Sequence, residues 1–356
     1  MIHVELRNLV KKFGDVIAVD RINVSIDKGE FVSLLGGSGC GKTTTLRMIA
    51  GFERPTDGEI LVDGKKINET PAKSRNMGMV FQSYALFPTL TVHENIAFGL
   101  RVRKQNRSQV EESVHRLLRL AHMEDLTQRY PAQLSGGQQQ RVALLRALAI
   151  EPTVLLLDEP LSNLDAKLRV EMRNEIKKMQ SELNITTVYV THDQEEALAV
   201  SDRIAVMNKG AIHQVGTPVE IYTKPADSFV ADFIGLSNFL NCRVVAEDEV
   251  EFEEKIFRIP VLKKRGARDQ IVLSFRPEHV DVHKPASSLS KEWDGITIPA
   301  QLSFEFFLGV MIRMEAVTPK GHIIIIEMPF EKRRMIDCKI GDFIVLSVPF
   351  GNLNVY

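Results

Sequence analysis

Residues 36–44 read Gly36–Gly37–Ser38–Gly39–Cys40–Gly41–Lys42–Thr43–Thr44, a glycine-rich loop of the form G-x-x-x-x-G-K-[ST]. Such a loop curls until several backbone N–H groups point at one place, and the positive end of the following helix adds to them. The ligand this chemistry fits is a polyphosphate. Lys42 would reach its outer phosphates, and the Thr43 hydroxyl would ligate Mg2+. A second anion-binding helix start stands at Leu134–Ser135–Gly136–Gly137–Gln138. It offers only backbone N–H groups, a hydroxyl and a helix dipole.

Asp158 and Glu159 follow the apolar run Thr153–Leu157. A buried strand with carboxylates at its C-terminal edge is where open α/β sheets hold their sites. Asp158 suits Mg2+ coordination, usually through water. Glu159, one residue on, faces differently and suits polarising an attacking water. His192 ends the β-branched run Thr186–Thr191 and is a candidate phosphate contact, while Gln82 ends Met77–Phe81. Glu195 and Glu196 fall in the first turn of the next helix and read as partners of its dipole. Phe13 stands before the Gly14–Asp15 turn, upstream of the loop. It is either a ring that stacks on a base or a core aromatic at a strand end, and spacing does not choose between them.

The elements that must position these groups follow from periodicity. The run Phe31–Leu35 predicts a buried strand entering the glycine-rich loop, and Thr43–Ala50 predicts a helix leaving it. Val4–Leu9 and Val24–Ile26 alternate as strands, and Ile60–Val62 is another. Residues 108–121 predict a helix with a Ser108–Glu111 capping box and an apolar face of Val110, Val114, Leu117, Leu118 and Ala121. A further helix runs from the Ser135 turn to about Ile150. The helix 166–183 carries Leu168, Met172, Ile176, Met179 and Leu183 on one face, and Arg203–Met207 with Ile212–Val215 predicts a hairpin. Tyr84–Ala85–Leu86–Phe87–Pro88 is apolar for a loop and reads as a partner surface. After about 216 a Pro-punctuated helical linker leads to short strands at Ile271–Phe275, Ile296–Phe306, Met311–Ala316, Ile323–Met328 and Phe343–Val348, the pattern of a small β-barrel. The isoleucines Ile323–Ile326 are expected to be buried, and 284–292 to form a flexible surface loop.

The bulk composition excludes several classes. The chain has 356 residues, enough for two or three domains. Its 45 basic side chains against 46 acidic ones leave a formal charge of −1, unlike the strongly basic balance of an electrostatic nucleic-acid binder. The three cysteines, Cys40, Cys242 and Cys338, have no metal-ligand spacing and suit a reducing compartment. The first residues lack the apolar stretch of a signal peptide. No window approaches the ~18 uninterrupted apolar residues of a membrane-spanning helix, so a membrane would be reached through a partner.

Residues 1–235 resemble the nucleotide-binding subunits of ATP-binding-cassette (ABC) transporters. The loop at 36–43, Gln82, the LSGGQ stretch at 134–138, LLLDEP at 155–160, SNLD at 162–165 and His192 stand in that family's order. The linker Gly216–Tyr222 with Phe229–Gly235, and Arg276–Pro277–Glu278, are similar to an importer branch that moves sugars, polyamines, sulfate or ferric iron.

The resemblance implies an α/β P-loop NTPase fold at 1–235, with a helical subdomain at about 84–150, and an all-β OB-like regulatory domain at 236–356. It implies ATP as ligand with Mg2+, and a head-to-tail homodimer with each ATP between one copy's P-loop and the other's LSGGQ helix. Residues Gly36 to Thr44 would hold phosphates, and Phe13 would stack on adenine. Thr43, Gln82 and Asp158 would serve Mg2+. Glu159 would polarise the water, and His192 would touch the γ-phosphate. Ser135, Gly136, Gly137 and Gln138 would clamp the nucleotide from across the interface, and Asp165 would link the two sites. It implies a peripheral subunit on the cytoplasmic face of the cell membrane. Two permease subunits would be its partners, one groove being formed by Gln82–Pro88, with an external solute-binding protein served indirectly and no nucleic acid. The alternative is a soluble cassette ATPase acting on nucleic acid or ribosomes. Three positions depart from the family's habit: Gly37 for Pro, Leu145 for Ala and Phe13 for Tyr. None removes a functional atom.

Overall fold

The computed structural model describes residues 1–259, 270–284 and 294–356. The chain divides into two compact units, Met1–Thr223 and Lys224–Tyr356.

In the first unit, the strands are β1 (Ile2–Phe13), β2 (Val16–Asp27) and β3 (Phe31–Gly36), followed by helix α1 (Lys42–Ala50). Next come β4 (Asp57–Val62), β5 (Lys65–Lys66) and β6 (Met77–Val80), then α2 (Val92–Val102), α3 (Arg107–Leu120) and α4 (Gly136–Ala149). The chain returns through β7 (Val154–Asp158), α5 (Ala166–Leu183), β8 (Thr186–Thr191), α6 (Gln194–Val200), β9 (Arg203–Asn208), β10 (Ala211–Gly216) and α7 (Pro218–Thr223).

A six-stranded sheet, ordered β10-β9-β3-β8-β7-β6, is the frame of this unit. Its central strands run parallel, β3 beside both β8 and β9, and β7 beside β8 and β6. Both faces are covered, and the strand period of two sorts side chains between two cores. Phe31, Leu155, Leu157 and Tyr189 face one core with helices α2 to α5. Val32, Leu34, Val154, Leu156, Val188 and Val190 face the other, against α1 and the second sheet, β2-β1-β4-β5. Continuous apolar runs such as Val154–Leu157 follow from burial on both sides. The parallel order also brings the C-terminal ends of β3, β7 and β8 to one edge.

Helix α3 starts two residues earlier than its periodicity suggests. Asn106, not Ser108, is the cap: its side chain accepts from the Gln109 N–H, and Gln109 reaches back to the Asn106 N–H. Asparagine is at least as good a cap as serine. On α5 the stripe is buried at Met172, Ile176 and Met179, while Leu183 reaches the surface at its end.

The second unit holds α8 (Ser228–Phe233), β11 (Asn238–Ala246), β12 (Glu249–Phe252), β13 (Lys255–Arg258), β14 (Gln270–Phe275), β15 (Asp281–His283) and β16 (Gly295–Phe307). It ends with β17 (Met311–Val317), β18 (Ile323–Pro329), α9 (Phe330–Arg334), β19 (Phe343–Pro349) and β20 (Asn354–Val355). Two five-stranded antiparallel sheets, β13-β12-β11-β14-β20 and β15-β19-β16-β17-β18, share one core, giving an all-β, barrel-like unit. Asn238 joins them: its amide donates to the Ile325 carbonyl and accepts from the Ile325 N–H, at 2.8 and 2.7 Å.

The buried Arg276 donates to the carbonyls of Ala231 and Leu236 and to the Ser237 hydroxyl. Its guanidinium thus ties the end of α8 to the chain beyond β14. The segment from α8 onward thus packs with the second unit, which begins at Lys224. The isoleucine run is not uniformly buried. Ile324 and Ile326 face the core, whereas Ile323 is 59% exposed, because strand residues alternate between faces. The loop expected at 284–292 lies, past Lys284, outside the described residues.

Candidate nucleotide site

The glycine-rich loop leaves β3 at Gly36. A side chain there would place its Cβ 2.3 Å from the Met207 carbonyl oxygen and 2.6 Å from Cys40 Sγ. At Gly41, the cap of α1, φ is +101° and a Cβ would fall 2.4 Å from the Ala18 carbonyl. Both positions therefore require glycine, one for space and one for space and conformation. Gly37 has open space around it. The Gly210 N–H donates to the Cys40 carbonyl, so the β9–β10 turn braces the loop from outside. Lys42 is buried, and its Nζ donates to the Gly36 and Gly37 carbonyls at 2.8 Å each. Ser38 and Gly39 are exposed at the rim, and Thr44 is half-buried on the first turn of α1.

Across from this loop, Thr43 Oγ1 donates to Asp158 Oδ1 at 2.9 Å. Burial raises the Asp158 pKa from its ordinary value. The Thr43 hydrogen bond and the Arg47 charge oppose that rise. Glu159 follows with φ of +44°, a left-handed conformation uncommon for a residue with a side chain. Its N–H donates to the Val190 carbonyl. Its Oε2 stands 3.2 Å from His192 Nδ1 and 3.4 Å from Gln82 Nε2. The reversal at Glu159 is what turns its carboxylate away from the line of β7 and towards these two side chains. Phe13 lies at the end of β1, 48% exposed, with Lys11 Nζ 4.7 Å from its ring centre. That exposure removes the core-aromatic alternative.

One edge of the sheet thus gathers the residues from Gly36 to Thr44 with Gln82, Asp158, Glu159 and His192. The LSGGQ stretch is not part of that cluster. Ser135 caps α4, its Oγ accepting from the Gln138 N–H while the Gln138 side chain accepts from the Ser135 N–H. Ser135 and Gly136 are exposed. Gly137 is buried, where a Cβ would sit 2.9 Å from the Leu168 methyl carbons. Asp165 caps α5 by accepting from the Leu168 N–H and is also exposed.

The family model described as "ABC transporter" matches residues 19–162. The Spermidine/putrescine import ATP-binding protein PotA of Acetivibrio thermocellus is 44% identical over 334 residues, covering 92% of this chain and 95% of that one. The Fe(3+) ions import ATP-binding protein FbpC of Fusobacterium nucleatum is 49% identical over 284 residues, covering 78% and 75%. This chain belongs to the ABC transporter family. As a member it binds and hydrolyses ATP. Among solved structures, the ATP-binding cassette MJ0796, a dimer bound to ADP and Pi, is 34% identical with a TM-score of 0.54, covering 60% of this chain and 98% of that one. The cbiO1 structure from Clostridium perfringens, part of the transporter complex cbiONQ, is 31% identical with a TM-score of 0.59, covering 63% and 92%.

Several residues that hold this ABC ATPase site together were not anticipated. Asn95 on α2 is fully buried, and its amide accepts from the Phe87 N–H and donates to the carbonyls of Phe87, Leu90 and Thr91. Arg146 on α4 donates to the carbonyls of Tyr84 and Ala85, two consecutive residues in left-handed conformation. Asn163 donates to the Gln82 carbonyl at 2.9 Å. These three side chains pin the 82–91 segment to α2, to α4 and to the turn before α5. Tyr84 is 6% exposed within the core, which corrects its reading as partner surface. The left-handed turn folds its ring inward and leaves Phe87 outside at 36%, against Phe98. Glu196 stands in the first turn of α6 as expected and has a further role: it is buried and accepts from the Tyr189 and Thr191 hydroxyls at 2.7 Å each. A capping pattern alone carries no signal for this. The two hydroxyls, two strand positions apart on β8, meet the carboxylate only once α6 has turned back.

Proposed function

We propose that this ABC ATPase is the energy-coupling subunit of an import system, working as a head-to-tail pair of copies on separate membrane-spanning permease subunits. The observation that carries the chemistry is Glu159, held between His192 and Gln82 beside the P-loop. The import reading rests on relatives named as import ATP-binding proteins that match along nearly the whole chain, second unit included.

The residues fit both groups that such chemistry needs. Glycine at Gly36 and Gly41 lets the loop pack directly against the Met207 and Ala18 carbonyls, which leaves its N–H groups free to converge on an anion. Thr43 and Asp158 offer two oxygens 2.9 Å apart, a hard-oxygen pair of the kind that suits Mg2+. Gln82 adds a third oxygen from the end of β6. The cation would neutralise charge developing on the phosphates.

The chain's own residues do the rest. Lys42 and the loop N–H groups orient the phosphates. Glu159 accepts a hydrogen bond from the attacking water and polarises it. His192, within reach of the Glu159 carboxylate, holds that geometry and contacts the terminal phosphate. Phe13 presents its exposed face to the base. Catalysis is then positioning and electrostatics. The LSGGQ turn, exposed and outside the cluster, would be completed against a second copy, with Asp165 at the same face. No observation favours the nucleic-acid or ribosome alternative.

Glu159→Gln should slow hydrolysis by roughly 10²–10⁴, the range for losing a general base, with ATP binding intact. Fast turnover by this variant would refute the assignment. The permease partner is tested by affinity capture of the full chain from native membranes in mild detergent. Co-purification of a multi-span protein supports the import reading. Ribosomes or nucleic acid alone would overturn it.

A further inference from the structure

The two segments of the site that lie farthest apart in role are bridged by one side chain. Arg169, on the first turn of α5, donates from one guanidinium nitrogen to the Leu164 carbonyl at 3.1 Å and from the other to Asp193 Oδ2 at 3.3 Å. Leu164 precedes Asp165 in the turn that faces outward at the start of α5. Asp193 follows His192. The Arg169 Nε is buried and lies 3.8 Å from Glu196 Oε1, beyond hydrogen-bond reach but close enough for charge attraction.

The His192 end of this bridge is itself braced. Asp193 Oδ1 caps α6 by accepting from the Glu195 and Glu196 N–H groups. The Asp193 N–H donates to Thr191 Oγ1, whose hydroxyl donates to the buried Glu196. The segment after His192 is therefore braced as one body, and Arg169 joins it to the Asp165 turn with a forked, planar cation, beside the Ser162 hydroxyl that donates to the Glu159 carbonyl. Lysine could not serve both acceptors with that geometry.

We propose that Arg169 is a positioning residue that transmits the state of the Asp165 turn to His192. The inference rests on the two-copy reading, in which that turn meets the second copy. Seating of the second copy then shifts Leu164, Arg169 and the braced Asp193–Glu196 segment as one body, and His192 reaches its phosphate contact only when both copies are engaged. The fork thereby ties hydrolysis at one site to occupancy of the interface.

The test uses the full chain with Mg-ATP. Arg169→Lys keeps a cation but loses the fork. Asp193→Asn keeps the α6 cap, since asparagine caps as well as aspartate, but turns the group facing Arg169 from acceptor to donor. Each variant should lower kcat about tenfold, within the ~10² that an ångström-scale misplacement can cost. Each should also bring the Hill coefficient for ATP towards one, with ADP affinity and melting temperature unchanged. The double variant should be no slower than the slower single one, as for two ends of one interaction. Multiplied losses, a parallel fall in ADP affinity, or wild-type behaviour of either variant would overturn the proposal. If the unaltered chain neither dimerises nor hydrolyses with Mg-ATP, the two-copy reading has failed and the proposal falls with it. If the chain does both while the variants match it, only the link through Arg169 has failed.

Discussion

Asp158 is a residue whose ionised form the fold disfavours. It is 6% exposed, and burial raises its pKa. A carboxyl whose folded pKa exceeds its unfolded value binds more protons when folded, so stability falls as pH rises through that interval. The contribution is largest below the ordinary carboxylate range and lost above the raised value. Asp158→Asn removes the buried charge while keeping an acceptor for Thr43. The variant should therefore melt at a higher temperature than the parent at neutral pH without nucleotide, and the difference should shrink in acid. Differential scanning calorimetry at pH 7 and pH 4 reads both. The same variant should lose Mg2+-dependent hydrolysis, a trade of stability against activity common at functional sites. Glu159 shows a related tension in its backbone, where a left-handed conformation costs of order 1–3 kcal/mol and persists because the surroundings impose it.

At the scale of elements, α4 matters for what each end does. Its first turn carries the exposed Ser135 cap, and Arg146 near its last turn holds the carbonyls of Tyr84 and Ala85. An arginine at Ser135 would lose the cap, at a cost of about 1 kcal/mol, and would put bulk on the face proposed to meet a second copy. Ser135→Arg should leave ADP binding to the monomer intact while abolishing the ATP-dependent dimer. Light scattering with and without ATP decides it, and an unchanged dimer would refute the sandwich.

The elements themselves were largely legible in the sequence. Apolar runs marked β3, β7 and β8, and their ends marked Gly36, Asp158 and His192, because strands buried on both faces leave an unbroken apolar signature. What was not legible depends on through-space partners. Asn95 and Arg146 bond to backbone carbonyls of a loop, and neither residue type nor spacing betrays an acceptor that any residue can offer. The left-handed pair Tyr84–Ala85 carries no glycine or asparagine to announce it. Asn106 outcompeted Ser108 for the α3 cap because both are good caps and the reciprocal Gln109 bond decides between them.

The whole molecule is two units with separate cores, and every residue of the candidate site belongs to the first. A chain ending at Thr223 should therefore retain nucleotide binding with an affinity close to that of the full chain, measured by ADP titration. Loss of binding would mean that the second unit supports the first. In the second unit, β18 is the last strand of its sheet and carries four consecutive isoleucines. Short β-branched stretches at a sheet edge are templates for strand addition between molecules. Asn238 occupies both hydrogen-bonding groups of Ile325 with one amide, as a neighbouring strand would. Its consequence is protection against amyloid-like assembly. Asn238→Ala should fibrillise on mild heating, followed by thioflavin T, at temperatures where the parent chain stays in solution. One asparagine on β11 thus caps the open side of an isoleucine-rich edge strand.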